Sequence, residues 1–101
     1  MDYGLSDDII NRIQEVFKKY PQVEGATLYG SRAMGTYRNG SDIDLTLKGK
    51  SINHNILNKI SNDIDDLLMP YKFDLSIMDD IDNKDLLKHI NRVGIEFYQK
   101  K

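Results

Sequence analysis

The 101-residue sequence has no cysteine and only two prolines. Without cysteine there is no disulfide, no thiolate zinc site and no cysteine nucleophile. Long apolar runs are also missing, since nothing approaches the roughly 20 residues that a membrane-spanning helix needs. Nor is there an excess of basic charge: 14 Lys and Arg stand against 16 Asp and Glu, a net charge of −2. That balance gives no long-range steering toward a polyanion and speaks against direct DNA binding. The N-terminal stretch carries Asp2, Asp7 and Asp8 where a secretory signal has a basic start and an apolar segment. A cytoplasmic chain that does not associate with membranes is expected. Its length fits a single domain, 1–101, with one modest core.

What the sequence does have is a regular alternation of patterns. Ser6 is a good N-cap for a helix reaching Tyr20, with Ile9, Ile10, Ile13, Val16 and Phe17 on one face and Pro21 at its end. Glu24 to Tyr29 reads as a short strand, and Gly30-Ser31 breaks it before a possible single helical turn at Arg32, Ala33 and Met34. Gly35 and Arg38-Asn39-Gly40-Ser41 form a connection back into the sheet. In the next strand Ile43, Leu45 and Leu47 alternate with Asp42, Asp44 and Thr46. A second amphipathic helix is expected over Ser51 to Met69, with Ile52, Ile56, Ile60, Ile64, Leu67 and Leu68 inward, stopped by Pro70. Tyr71 to Met78 repeats the strand logic, with Phe73, Leu75 and Ile77 opposite Asp74 and Ser76. Asp79, Asp80 and Asp82 lead into a third helix from Asn83 to Val93, which Gly94 caps. The class is α/β (α+β), one small sheet with helices packed on its apolar face and carboxylates on the other.

Three Asp-x-Asp pairs occur, at Asp42/Asp44, Asp63/Asp65 and Asp80/Asp82. With thirteen Asp in the chain, about one or two such pairs arise by chance, so secondary structure must separate them. Residues i and i+2 diverge on a helix but share a face of a strand. Asp63 and Asp65 are therefore assigned to the solvated side of the second helix, and Asp80 and Asp82 to a turn. Asp42 and Asp44 project together, and Asp74 joins them if its strand is adjacent. Three carboxylates on one face suit Mg²⁺, which takes one or two protein carboxylates plus substrate phosphates and water. Left unpaired, such a face would be costly through repulsion and desolvation.

Upstream, Gly30-Ser31 precedes Asp42 by ten intervening residues. Given seven Gly and six Ser, that pair falls at this fixed offset from any of the three acidic pairs with a chance of about one in a hundred. A glycine lets a phosphate approach the backbone, and a hydroxyl and amides at a helix start favour its oxygens. His54 and His89 have no partners at metal-ligand spacing and read as surface residues. Tyr37 can stack on a base or pack over the turn.

The stretch Leu28 to Leu45, reading Leu-Tyr-Gly-Ser-Arg-Ala-Met-Gly-Thr-Tyr-Arg-Asn-Gly-Ser-Asp-Ile-Asp-Leu, with Asp74 on a later strand, resembles the polymerase-β-type nucleotidyltransferase superfamily. With the tail Gly94-Ile95-Glu96-Phe97-Tyr98 it is similar to minimal nucleotidyltransferase (MNT) proteins, and the resemblance spans about Glu24 to Tyr98. Met34 departs from the basic residue frequent in that subgroup. The resemblance implies a small mixed sheet of the polymerase-β-like fold and an Mg²⁺-dependent transfer of AMP from ATP. It assigns Gly30 and Ser31 to the triphosphate. Arg32 and Arg38 could add contacts to phosphate or a partner's acid, or stay solvated beside the turns. Asp42 and Asp44 are assigned to two Mg²⁺ ions, and Asp74 to the catalytic metal and the incoming hydroxyl's proton. It further implies a hetero-oligomer with a helical HEPN-type toxin encoded nearby, whose tyrosine would be the acceptor. The alternatives are a non-catalytic antitoxin acting by occlusion, and transfer to a small molecule such as an aminoglycoside.

Overall fold

Helix α1 (Asp7–Lys18) starts where Ser6 accepts the Ile9 amide at 3.2 Å. Asp7 and Asp8 in its first turn and Lys18 in its last suit the helix dipole. Its inner face buries Ile13, Val16 and Phe17. The computed structural model describes residues 3–101; Met1 and the acidic Asp2 lie outside the described residues. Strand β1 (Gly25–Tyr29) is buried along its whole length, and the one-turn helix α2 (Ser31–Met34) follows directly. Strand β2 (Ile43–Lys48), helix α3 (His54–Asp65), strand β3 (Phe73–Ile77), a 3-10 turn (Met78–Asp80), helix α4 (Lys84–Val93) and strand β4 (Ile95–Gln99) complete the chain.

The four strands form one mixed sheet in the order β3-β2-β1-β4. β1 runs antiparallel to β2 and β4, and β2 is parallel to β3. Ile43, Leu45 and Leu47 of β2 and Ala26 and Leu28 of β1 join α1 and α3 in a core completed by Leu5, Val23, Ile60, Ile64, Phe97 and Tyr98. Phe17 meets Tyr98 there, ring centroids 5.5 Å apart. This is the small mixed sheet that the resemblance implies. Among the described residues no helix is long and apolar enough to cross a membrane.

Strand β4 has no counterpart among the elements expected from sequence pattern, which end at the Gly94 cap, although the resemblance rests partly on its residues. Its pairing with β1 slips between Ala26 and Thr27, leaving Phe97 as an extra residue between Glu96 and Tyr98. The bulge lets Phe97 and Tyr98 both reach the core, which breaks the period-two signal. The Phe97 carbonyl accepts a hydrogen bond from Gln14 Nε2 at 2.8 Å.

Helix α4 also departs from expectation, since it packs on the opposite face from α1 and α3. Its His89 meets Tyr29, which shares a face with Asp44, and Gly94 at its end lies against Ile90 and Thr27. The stripe Leu86, Leu87, Ile90 and Val93 thus covers part of the polar side, and of these only Ile90 is fully buried. Asp63, expected in solvent, is half-buried and accepts the Tyr20 hydroxyl at 2.5 Å. That bond holds the Tyr20 phenol protonated, raising its pKa to about 12.

α3 is shorter than the periodicity suggested. Asn53 caps its start by accepting the Ile56 amide at 2.9 Å, and the helix ends at Asp65 with Asp66 as its C-cap, before it reaches Met69, where Pro70 disfavours helical backbone. Leu68, expected in the core, instead takes a left-handed conformation (φ 54°) and is 88% exposed. An L-residue pays about 1–2 kcal/mol there, and Asn tolerates it better. Leu68→Asn is therefore expected to stabilise the protein by about 0.5–1 kcal/mol, read as a melting-temperature rise of roughly 2–8 °C.

Candidate active site

The polar face is built in rows across the sheet. Tyr29 of β1 pairs with Asp44 of β2, which pairs in turn with Asp74 of β3. The next row is Thr27, Thr46 and Ser76. Asp44 and Asp74 therefore stand on neighbouring strands about 4.8 Å apart at the backbone, and Asp42 lies about 7 Å along the chain from Asp44 in the same phase. Asp42 and Asp74 are exposed and Asp44 is half-buried. Burial first, then the charges of Asp74 and Asp42, push the Asp44 carboxyl above its ordinary value of 3.8. Burial likewise raises the Tyr29 phenol; Ser76 opposes this and the charges of Asp74 and Asp44 add to it. Among the described residues, no three His, Asp or Glu side chains converge closely enough to hold a bare ion by themselves.

The Gly30-Ser31 turn faces this row. Gly30 has φ 75° and ψ −158°, a region open essentially to glycine alone. A Cβ at Gly30 would collide with the Asp44 carboxylate, so the carboxylate lies directly against the turn. Sequence spacing suggested this proximity, and the fold delivers it by placing the end of β1 beside the start of β2.

Arg32 serves the site differently from the phosphate contact expected of it. It is 2% exposed, and its Nε and Nη2 donate to the Ser41 carbonyl at 3.2 and 2.9 Å while Nη1 donates to the Tyr3 carbonyl at 3.0 Å. Its guanidinium packs against the rings of Tyr37 and Tyr71, 5.5 and 5.1 Å from their centroids. Arg32 thereby holds the residue before Asp42, and Tyr37 packs over the turn. Ser41 is further tied to Arg38, accepting its amide on Oγ at 2.8 Å. A lysine cannot reproduce the fork of donors. Arg32→Lys is expected to cost about 2 kcal/mol, read from the denaturant midpoint, and to speed proteolysis within residues 35–41.

His89, expected on the surface, is drawn into the site instead. It is half-buried, its Nε2 accepts the Gly30 amide at 3.1 Å, and its ring meets Tyr29 edge-on at 6.2 Å. His54, by contrast, is the expected surface residue, 3.4 Å from Asp80.

The architecture is that of a polymerase-β-like nucleotidyltransferase. The family model described as polymerase beta, nucleotidyltransferase matches residues 11–101, and the chain belongs to that family. A chain in the crystal structure of a toxin-antitoxin pair with AMP-PNP is 18% identical, with a TM-score of 0.73 over 91% of this chain and 74% of that one. A mutant of the toxin-antitoxin pair MntA-HpeT matches at 16% identity and a TM-score of 0.72, over 91% and 74% of the two chains. A structure of the tri-AMPylated Shewanella oneidensis HEPN toxin in complex with MNT antitoxin matches at 15% and 0.66, over 91% and 71%. At these identities the likeness establishes a shared fold. No curated protein matches the sequence at the same stringency.

Proposed function

We propose that residues 1–101 form one minimal nucleotidyltransferase domain. It transfers AMP from ATP to a hydroxyl, a tyrosine of a HEPN-type toxin, and acts as the antitoxin in the cytoplasm. The observation that carries this reading is the Asp44 and Asp74 pair on adjacent strands, with Asp44 lying against the glycine of the Gly-Ser turn. Support for the donor and partner comes from the similar structures, one with AMP-PNP and one containing an AMPylated HEPN toxin.

The donor set is hard oxygen throughout, and the raised Asp44 carboxyl is a charge that a cation would relieve. These carboxylates do not enclose a bare ion, so substrate phosphates and water would complete the shell of any Mg²⁺ they hold. Asp42 and Asp44 would hold Mg²⁺, with Asp74 as third ligand. When bound, Mg²⁺ supplies charge stabilisation for an in-line displacement at phosphorus. Gly30 lets the Asp44 carboxylate lie against the turn, and the Ser31 hydroxyl and amide bind the triphosphate. Asp74 also accepts the proton of the incoming hydroxyl, whose oxygen bonds to the α-phosphorus as the bond to pyrophosphate breaks. Arg32 fixes Ser41 and so orients Asp42.

Incubation of the purified protein with Mg²⁺, ATP labelled at the α-phosphate and the helical toxin should label the toxin. The same ATP labelled at the γ-phosphate should leave it unlabelled. Absence of transfer from every nucleoside triphosphate, with toxin inhibition intact, would replace this reading with occlusion.

A further inference from the structure

Gly30 is held from two sides by elements that lie far from it in sequence. Asp44 of β2 presses on its Cα side, and His89, 59 residues away on α4, accepts its N–H. We propose that His89 is a positioning residue for nucleotide binding: its imidazole fixes the Gly30 amide and so sets the orientation of Ser31. This rests on the reading of Gly30-Ser31 as the triphosphate turn.

Four observations support the role. An acceptor at Nε2 requires the neutral imidazole with its proton on Nδ1, so the ring meets the backbone in one defined tautomer. The edge-on contact with Tyr29 and the half-buried setting limit its rotation. Its helix is seated firmly, because Ile90 is buried and the Gly94 amide donates to the Ile90 carbonyl at 2.7 Å beside Thr27. Finally, the one-turn helix after Gly30 closes back on it, the Met34 amide donating to the Gly30 carbonyl at 3.1 Å. A rotation at Gly30 would therefore be carried into Ser31, the next residue. Displacement of a positioning group by about 1 Å can cost on the order of a hundredfold in rate.

The test compares the full-length protein with His89→Phe, which removes the acceptor but keeps a ring, and His89→Gln, whose carbonyl oxygen can take the Nε2 position. Two readouts are needed: hydrogen exchange of the Gly30 and Leu45 amides, and calorimetric affinity for a non-hydrolysable ATP analogue with Mg²⁺. In His89→Phe, Gly30 exchange should accelerate while Leu45 stays protected, and affinity should fall about 10- to 100-fold. His89→Gln should restore most of both. Unchanged Gly30 exchange or unchanged affinity in His89→Phe overturns the role of His89 alone. Equal losses in both variants, with Leu45 deprotected, overturn it in favour of general destabilisation. Failure of the unmutated protein to bind the analogue overturns both the role and the site assignment.

Discussion

Replacing Asp44 by asparagine is expected to abolish nucleotidyl transfer and, at the same time, to raise the melting temperature of the nucleotide-free protein. The first effect follows from the proposed ligand role, since losing one essential charge at a phosphoryl site costs roughly a thousandfold or more, about 4 kcal/mol of transition-state stabilisation. The second follows from the carboxyl's environment. Burial and the neighbouring Asp74 and Asp42 raise its folded-state pKa above the ordinary 3.8, so the folded protein binds that proton more tightly than the unfolded chain. Below 3.8 both states are protonated and the group contributes nothing. As pH rises from there through the raised folded value, an unfavourable charge develops, and it persists to neutrality. Asparagine removes that penalty, so the melting temperatures of the two proteins should diverge with rising pH across this window. Addition of Mg²⁺ and a non-hydrolysable ATP analogue should reverse the order. A ligand at one hundred times its dissociation constant stabilises the native state by about 2.7 kcal/mol, and only the protein with the carboxylate gains it.

Gly30→Ala should produce the largest loss of stability of any single methyl addition at the site. The backbone conformation alone costs about 1–3 kcal/mol for a residue with a Cβ. The new atom would also overlap the Asp44 carboxylate, which must move aside. A total of roughly 3–4 kcal/mol is a large part of the 5–15 kcal/mol typical of a domain, and corresponds to a melting-temperature drop on the order of 12–32 °C. Moving Asp44 also displaces a proposed ligand, so residual folded protein should lack transfer activity. Gly40→Ala is the control, because a Cβ at Gly40 meets nothing within 4 Å. It should change stability by no more than about 0.5 kcal/mol, measured by thermal denaturation.

The parts of the fold that were readable are those whose signal is local. β2 and β3 alternate strictly, and the inference that Asp74 would stand beside Asp44 if their strands were neighbours matches the register. The turn at Gly30 was legible because residue types and spacing carry it. β4 was not, because its bulge at Phe97 erases the alternation and its partner β1 is remote in sequence. The apolar stripe of α4 shows which side of the helix is buried, but says nothing about which face of the sheet covers it. His89 was missed for a related reason: its only signal is a backbone amide 59 residues away, and a lone histidine has no spacing to betray that. On sequence grounds Arg32 could contact phosphate or a partner's acid, or stay solvated, and none of these describes its burial against loop carbonyls. Its place is set by Tyr3, Tyr37 and Tyr71, which arrive from three separate segments.

The central claim is that this sheet face transfers a nucleotidyl group to a protein partner. Intact-mass measurement of the helical toxin, co-expressed with either the unmutated chain or the variant with Asp42, Asp44 and Asp74 all replaced by asparagine, tests it most directly. One or more additions of AMP mass are expected with the unmutated chain and none with the triple variant. An unmodified toxin that is nevertheless neutralised equally by both would contradict it.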